Sequence, residues 1–252
     1  MSLAGRTALI TGGGHGLGAA IARSLHEAGA EVVLVGRRAE LLERVCAELG
    51  PRARWAVCDV ADPASVSSLA EELVDAAEIS ILINNAGVAG PVAPLTEIDV
   101  ADWDEVFDIN VRGVFLMCKA FLPPMVHRGR GDVINIASVS GKRPLVRRTP
   151  YCASKMAVIG LTSTLAFEVG PAGVNVNTLS PGPVEGPRMD RNFRLEAERT
   201  GTSYDAAMQT FVSRAALGRM VTEQEVGAAA VAMLGMPGLC GADIDLSAGM
   251  VA

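Results

Sequence analysis

The feature that most constrains this chain is a glycine cluster, Thr11-Gly12-Gly13-Gly14-His15-Gly16-Leu17-Gly18, set between a short apolar run at Thr7–Thr11 and a helical pattern at Gly16–Ala28. A strand that turns through glycines into a helix opens a βαβ unit. The alternation then continues along the chain. Short β-branched or apolar runs at Glu31–Val35, Arg54–Cys58, Ile79–Ile83, Asp132–Ala137, Val174–Leu179 and Ala242–Leu246 read as strands. Helical patterns cover about 39–49, 63–77, 102–126, 150–169 and 223–234. Strands separated by helices of this length predict an α/β fold built on a doubly wound parallel sheet. The nearly all-apolar Ile79–Ile83 suits a strand covered on both faces.

Nothing in the chain marks a linker, repeat or low-complexity segment, so residues 1–252 read as a single domain. One long irregular region, Pro181 to Met220, starts with Pro181-Gly-Pro-Val-Glu-Gly-Pro187 and then turns polar and helical. A connection of that length inside a compact fold is more often a lid or binding loop than a simple connector, and about 183–220 is read as the substrate loop.

Half of the residues are hydrophobic and the formal net charge is −6, which argues against a sequence-blind nucleic-acid binder. Five cysteines, widely spaced and without a Cys-x-x-Cys pair, suggest free thiols in a reducing compartment. The three histidines show no His-x-x-x-His spacing, so no metal site is expected. The N-terminus lacks the pattern of a signal or transit peptide. No apolar run looks long enough to span a bilayer, and the expectation is a soluble, cytoplasmic protein with no membrane partner.

Glycines at 12, 16 and 18 let the backbone approach a pyrophosphate, and the following helix N-terminus offers free N–H groups to it. The tip of the second strand selects the dinucleotide. An NAD site places an acid there to accept from the ribose 2′-hydroxyl. This chain has Arg37 and Arg38, whose forked donors suit a 2′-phosphate. NADP(H) is favoured, and NAD(H) stays open, because both arginines would serve equally as the solvated start of a helix.

Further on, Tyr151 and Lys155 stand one turn apart on a helix. An ammonium near a phenol favours the phenolate, and such a group can give a proton to a carbonyl oxygen or take one from an alcohol. An isolated pair of this kind is commonly structural. Here Ser138, after the fifth strand, faces the crevice where α/β sheets bind ligands, with Ser140 as a nearby decoy. No Gly-x-Ser-x-Gly elbow surrounds Ser138, which argues against a hydrolase nucleophile.

Thr11-Gly-x-x-x-Gly-x-Gly18, Asn84-Asn-Ala-Gly87, Asn110, Ser138, Tyr151-x-x-x-Lys155 and Pro181-Gly182 together resemble the short-chain dehydrogenase/reductase family over essentially the whole chain. The resemblance implies a Rossmann fold of about seven strands in the order 3-2-1-4-5-6-7, a nicotinamide cofactor and metal-free catalysis. It implies Tyr151 as acid/base, Lys155 on the nicotinamide ribose, Ser138 orienting the substrate oxygen, and Asn110 holding a water in a relay through Lys155. Gly12, Gly14, His15, Gly16, Leu17 and Gly18 would form the phosphate turn. Asp59 would meet the adenine amino group beside Val60. Asn85, Ala86 and Gly87 would line the cofactor, and Pro181, Gly182 and Val184 the nicotinamide end. A homotetramer, or a homodimer, is implied, with long helices around 102–127 and 151–170 in its interface.

Two departures stand out. Gly186 occupies the place where the family usually has Thr or Ser, and Asp245-Leu-Ser-Ala-Gly249 replaces the common Asp-Gly-Gly ending. Around the substrate walls cluster Arg143, Arg147, Arg148, Arg188, Arg191, Arg194 and Arg199. They could steer an anionic substrate, or simply form a solvated rim. An acyl-carrier thioester is one option, although Ala172 stands where such reductases tend to be basic. The reading is a hydride transfer between NADP(H) and a ketone or secondary alcohol. The alternatives are an NAD-dependent dehydrogenase of a hydroxylated small molecule, or a catalytically silent binding protein on the same fold.

Overall fold

A strand that is buried at every position needs a layer of helices on each side. Such strands are β1 (Thr7–Thr11) and β4 (Ile79–Asn84). The computed structural model describes residues 2–74 and 76–250, leaving aside the side chains of Pro187 and Arg188. Five further strands join these two: β2 (Glu31–Gly36), β3 (Ala53–Val57), β5 (Gly131–Ile136), β6 (Val174–Pro181) and β7 (Asp243–Leu246). They form one sheet of order β3-β2-β1-β4-β5-β6-β7, with every neighbouring pair parallel. The sheet is a doubly wound Rossmann arrangement. Its order reverses between β1 and β4, which opens a crevice at their C-terminal ends.

The helices follow in chain order as α1 (Gly16–Glu27), α2 (Ala39–Leu49), α3 (Pro63–Leu73), α4 (Val100–Phe107), α5 (Gly113–Arg128), α6 (Thr149–Val169), α7 (Pro187–Thr200), α8 (Tyr204–Val212) and α9 (Glu223–Leu234). Side chains on a strand alternate between its faces, and the core divides accordingly. Ala8, Ile10, Val32, Leu34, Ile81 and Ile83 pack with α1, α2 and α9. Leu9, Val33, Val35, Leu82 and Val133 pack with α3, α5 and α6. Each such Leu or Ile contributes about 1.5–3 kcal/mol by leaving water. Asn84 and Asn135 are polar exceptions within this core. Asn84 Nδ2 donates to Asn135 Oδ1 at 2.8 Å, and Asn135 Nδ2 donates to Thr162 Oγ1 at 2.8 Å, tying β4, β5 and α6 together.

All five cysteines are free thiols, and burial pushes Cys118 up to about 12 and Cys46 up to about 11, which leaves both unreactive. The α9 start carries a full capping box. Thr222 Oγ1 accepts from Glu225 N at 3.1 Å and Glu225 Oε2 accepts from Thr222 N at 2.8 Å. A threonine cap of this kind contributes about 0.5–2 kcal/mol. Arg219 also grips Glu225, and with the Thr222 backbone it draws that carboxyl down from 4.5 to about 2. A depressed carboxylate stabilises the fold above its ordinary titration range, so this cap weakens only as pH falls from 4.5 toward 2.

Two expectations need correction. The single helix expected over 102–126 is α4 and α5, joined by a π-helical turn at Asp108–Arg112 that rotates Asn110 into the protein. π-turns of this kind concentrate at functional sites, and side-chain periodicity does not reveal them. The 181–220 region turns helical after Gly186, as its sequence suggests, forming α7 and α8. Met189, Phe193, Val212 and Met220 form a small core of their own there. Finally, the helical runs Val100–Arg128 and Thr149–Ala172 are long and apolar enough, by length and composition, to cross a membrane, with 44% and 33% of their most apolar stretches buried. Each lays one face on the sheet and leaves apolar side chains such as Phe115, Met156 and Phe167 exposed.

Candidate active site

The glycine turn joins β1 to α1 at the crevice. Gly12 and Gly16 take positive φ angles of 67° and 55°, a region that disfavours side chains. Gly18 is forced by space instead: a Cβ there would lie 2.2 Å from Gly12 O and 2.6 Å from Asn85 Nδ2. Thr11 Oγ1 accepts from Asn85 N at 2.9 Å and from Ala86 N at 3.0 Å, and Asn85 Nδ2 donates to Thr11 O at 2.9 Å. The ends of β1 and β4 are thereby locked together beneath the turn. His15 precedes α1 without capping it through its side chain, and the first turn holds no acid. The helix keeps its positive end for an anion.

A cleft of about 820 Å³ runs from this turn across the sheet. Into it the fold brings Gly12, Gly14, His15, Gly16, Leu17, Gly18, Arg37, Arg38, Asp59, Val60, Asn85, Ala86, Gly87, Ser138, Tyr151, Lys155, Pro181, Gly182 and Val184. Arg37 Nη1 stands 4.0 Å from Asp59 Oδ2 with both side chains largely exposed. A pair so screened binds weakly and leaves the guanidinium available. Asp59 Oδ1 accepts from Ala61 N at 3.0 Å, which fixes that carboxylate at the end of β3.

At the other end, Lys155 is almost wholly buried. Its Nζ donates to Ile136 O at 2.8 Å and sits 5.8 Å from the centre of the Tyr151 ring. Tyr151 is half-buried, in the first turn of α6. Ser138 Oγ accepts from Ser140 N at 3.1 Å and lies 3.5 Å from Pro181 O. Ser140 therefore acts through its backbone, in orienting Ser138. A phenol, a buried ammonium and an oriented hydroxyl line one cleft, a set able to hold a polar oxygen and pass it a proton.

Asn110 is the one expected residue that does not line the cleft. It is fully buried behind the wall, where Oδ1 accepts from Val88 N at 2.8 Å while Nδ2 donates to Val88 O at 2.9 Å and Ser154 Oγ at 3.0 Å. These bonds clamp the segment after β4 to α6. The cleft also takes in Leu41, Leu42, Cys58, Ile109 and Glu223, which sequence reasoning missed, together with Val88, Glu185 and Gly186. Leu41 could have been found as the next turn after the arginine pair. Glu223 carried no local signal, lying far along the chain from every motif.

Three arginines of the substrate walls are committed. Arg143 Nη1 bonds to Met250 O, Arg148 Nη1 donates to Gly90 O at 3.0 Å, and Arg199 pairs with Glu196 at 2.6 Å. Arg188 lies outside the described side chains. Beside them, Lys142 bridges Asp243 at 2.7 Å and Asp245, joining the loop after β5 to the last strand. Burial opposes its charge, yet hydrogen bonds to the two carboxylates raise its pKa above the ordinary lysine range.

The short chain dehydrogenase family model matches residues 6–198. Among characterised relatives, D-threitol dehydrogenase of Mycolicibacterium smegmatis is 41% identical over 206 residues, covering 77% of this chain and 79% of that protein. Among solved structures, a single-residue variant of actinorhodin polyketide ketoreductase with NADPH superposes with a TM-score of 0.91 at 31% identity, covering 97% of each chain. The NAD+-bound xylitol dehydrogenase superposes with a TM-score of 0.91 at 30% identity, covering 99% of this chain and 100% of that one.

Proposed function

Because the chain belongs to the short-chain dehydrogenase family, whose members here are oxidoreductases of alcohols and ketones, we propose that it moves hydride between NADP(H) and a ketone or secondary alcohol, with Tyr151 as the general acid/base. The observation that carries this reading is the buried Lys155 ammonium beside the Tyr151 ring in a cleft that begins at an uncapped helix N-terminus.

The residues fit a dinucleotide. The glycine turn is too tight for a Cβ at Gly18, which would meet Gly12 O, and α1 presents positive character to a diphosphate. Arg37 and Arg38 would hold the 2′-phosphate, Asp59 and Val60 the adenine, and Asn85, Ala86 and Gly87 the middle of the cofactor. Lys155, Pro181, Gly182 and Val184 would hold the nicotinamide end, which when bound supplies or accepts the hydride. Tyr151 gives the proton to the carbonyl oxygen in reduction, or takes it from the alcohol in oxidation. Lys155 favours the negative charge that the phenol oxygen acquires as its proton leaves. Ser138 holds the substrate oxygen, and Asn110 keeps α6 at the right distance through its clamp on Val88 and Ser154.

The test is a panel of ketones and secondary alcohols, followed by nicotinamide absorbance with NADPH, NADH and their oxidised forms. Turnover with one of them supports the reading. No absorbance change with any substrate favours instead a catalytically silent protein on this fold. Solved relatives hold NADPH or NAD+, and Arg37 at the tip of β2 is the residue whose replacement tests the preference. Replacing Arg37 by alanine should weaken NADPH by about 10-fold, the value of one charge-assisted hydrogen bond at an exposed site, and leave NADH nearly unchanged. Equal losses for both would remove the 2′-phosphate assignment. The exposed apolar faces of α5 and α6 support a homotetramer or homodimer that covers them, which sedimentation of the purified protein tests.

A further inference from the structure

Facing the phosphate cradle is a carboxylate that the proposed reaction does not use. Val184 and Val221 form a parallel bridge, with Val221 N donating to Pro183 O and Glu185 N to Val221 O. Two residues beyond this bridge on the two segments stand Gly186 and Glu223. A Cβ on Gly186 would lie 3.8 Å from Glu223 Oε1, and a Cβ on Gly16 would lie at the same 3.8 Å. The carboxylate therefore spans the gap between the first residue of α1 and the loop that leads into α7, and it lines the cleft with both. Among the described residues no hydrogen bond or ion pair engages it. Arg219, four residues earlier, is committed to Glu225 at 2.9 and 2.7 Å. A glutamate in the first turn of a helix ordinarily serves that helix's own dipole. In α9 the capping duty falls to Glu225, and the side chain of Glu223 reaches across to a different helix.

We propose that Glu223 sets how firmly the cleft holds its dinucleotide, by repelling the diphosphate that the start of α1 attracts. This rests on the dinucleotide reading given above and adds a device for release. Product release limits turnover in many enzymes, and a charge that loosens the diphosphate shortens that step.

Glu223→Gln and Glu223→Ala remove the charge with different shapes. Binding of NADPH and NADH to the unaltered protein and to each variant is followed by fluorescence titration at several salt concentrations, with adenosine 2′-monophosphate as a ligand without a diphosphate. Both variants should bind both dinucleotides about 5- to 10-fold more tightly at low salt, as expected for like charges in a partly exposed cleft, and the gap should close as salt screens them. The monophosphate should bind all three proteins alike. Equal dinucleotide affinities in the three proteins, a gap that survives high salt, or the same gain for the monophosphate would overturn the role of Glu223 alone. If the unaltered protein binds neither dinucleotide, the reading of the cleft itself fails and takes this inference with it.

Discussion

Replacing Tyr151 by phenylalanine lowers turnover by about two to four orders of magnitude, the range that a positioned acid/base contributes, while the dinucleotide still binds. The exchange removes one oxygen and keeps the ring, which sits in the first turn of α6 with Lys155 at 5.8 Å from its centre. Lys155 stays bonded to Ile136 O at 2.8 Å, so the cofactor end of the cleft keeps its shape. The measurement is kcat beside a separate NADPH dissociation constant. Turnover within a few-fold of the unaltered enzyme would take Tyr151 out of the chemistry, and a matching loss of cofactor affinity would make it structural. Lys155→Met is a harsher change, since it also leaves the Ile136 carbonyl without this donor.

Gly18→Ala abolishes dinucleotide binding and destabilises the fold, although only one methyl group is added. That methyl would stand 2.2 Å from Gly12 O and 2.8 Å from Gly12 C, closer than real Cβ atoms come to a backbone. Neither neighbour is the free end of a flexible side chain, so the turn itself must open. Asn85 Nδ2, 2.6 Å away, is held by its bond to Thr11 O, and the strain spreads to the ends of β1 and β4. Overpacking of this sort typically costs about 1–3 kcal/mol. Thermal melting reads the stability loss and fluorescence titration the cofactor loss. An alanine variant that binds NADPH as before would show that the turn has slack and is not shaped to a ligand. Gly160, where an added Cβ meets nothing within 4 Å, is the control for glycine replacement in general.

The strands, the glycine turn and the pairing of Tyr151 with Lys155 on one helix face were legible because each rests on local physics. Ile79–Asn84 is buried on both sides, and a run of apolar residues announces that without any knowledge of its neighbours. Tyr151 and Lys155 share a face because a helix repeats every 3.6 residues. The helical region after β6 was only half legible. α7 is polar, and its apolar positions Met189 and Phe193 face a small core shared with Val212 and Met220, partners far enough along the chain to escape any local pattern.

Asn110 and Glu223 mark the boundary. The sequence by itself determined the α/β alternation, the glycine turn and the shared helix face of Tyr151 and Lys155, all set by periodicity and by which residues a backbone conformation tolerates. Only the tertiary structure decided that a π-turn buries Asn110 behind the wall, and that Glu223, more than two hundred residues after Gly16, comes to face it. The physical reason is that backbone preference acts between near neighbours, whereas a side chain's electrostatic surroundings are made by whichever distant segments the sheet order brings together.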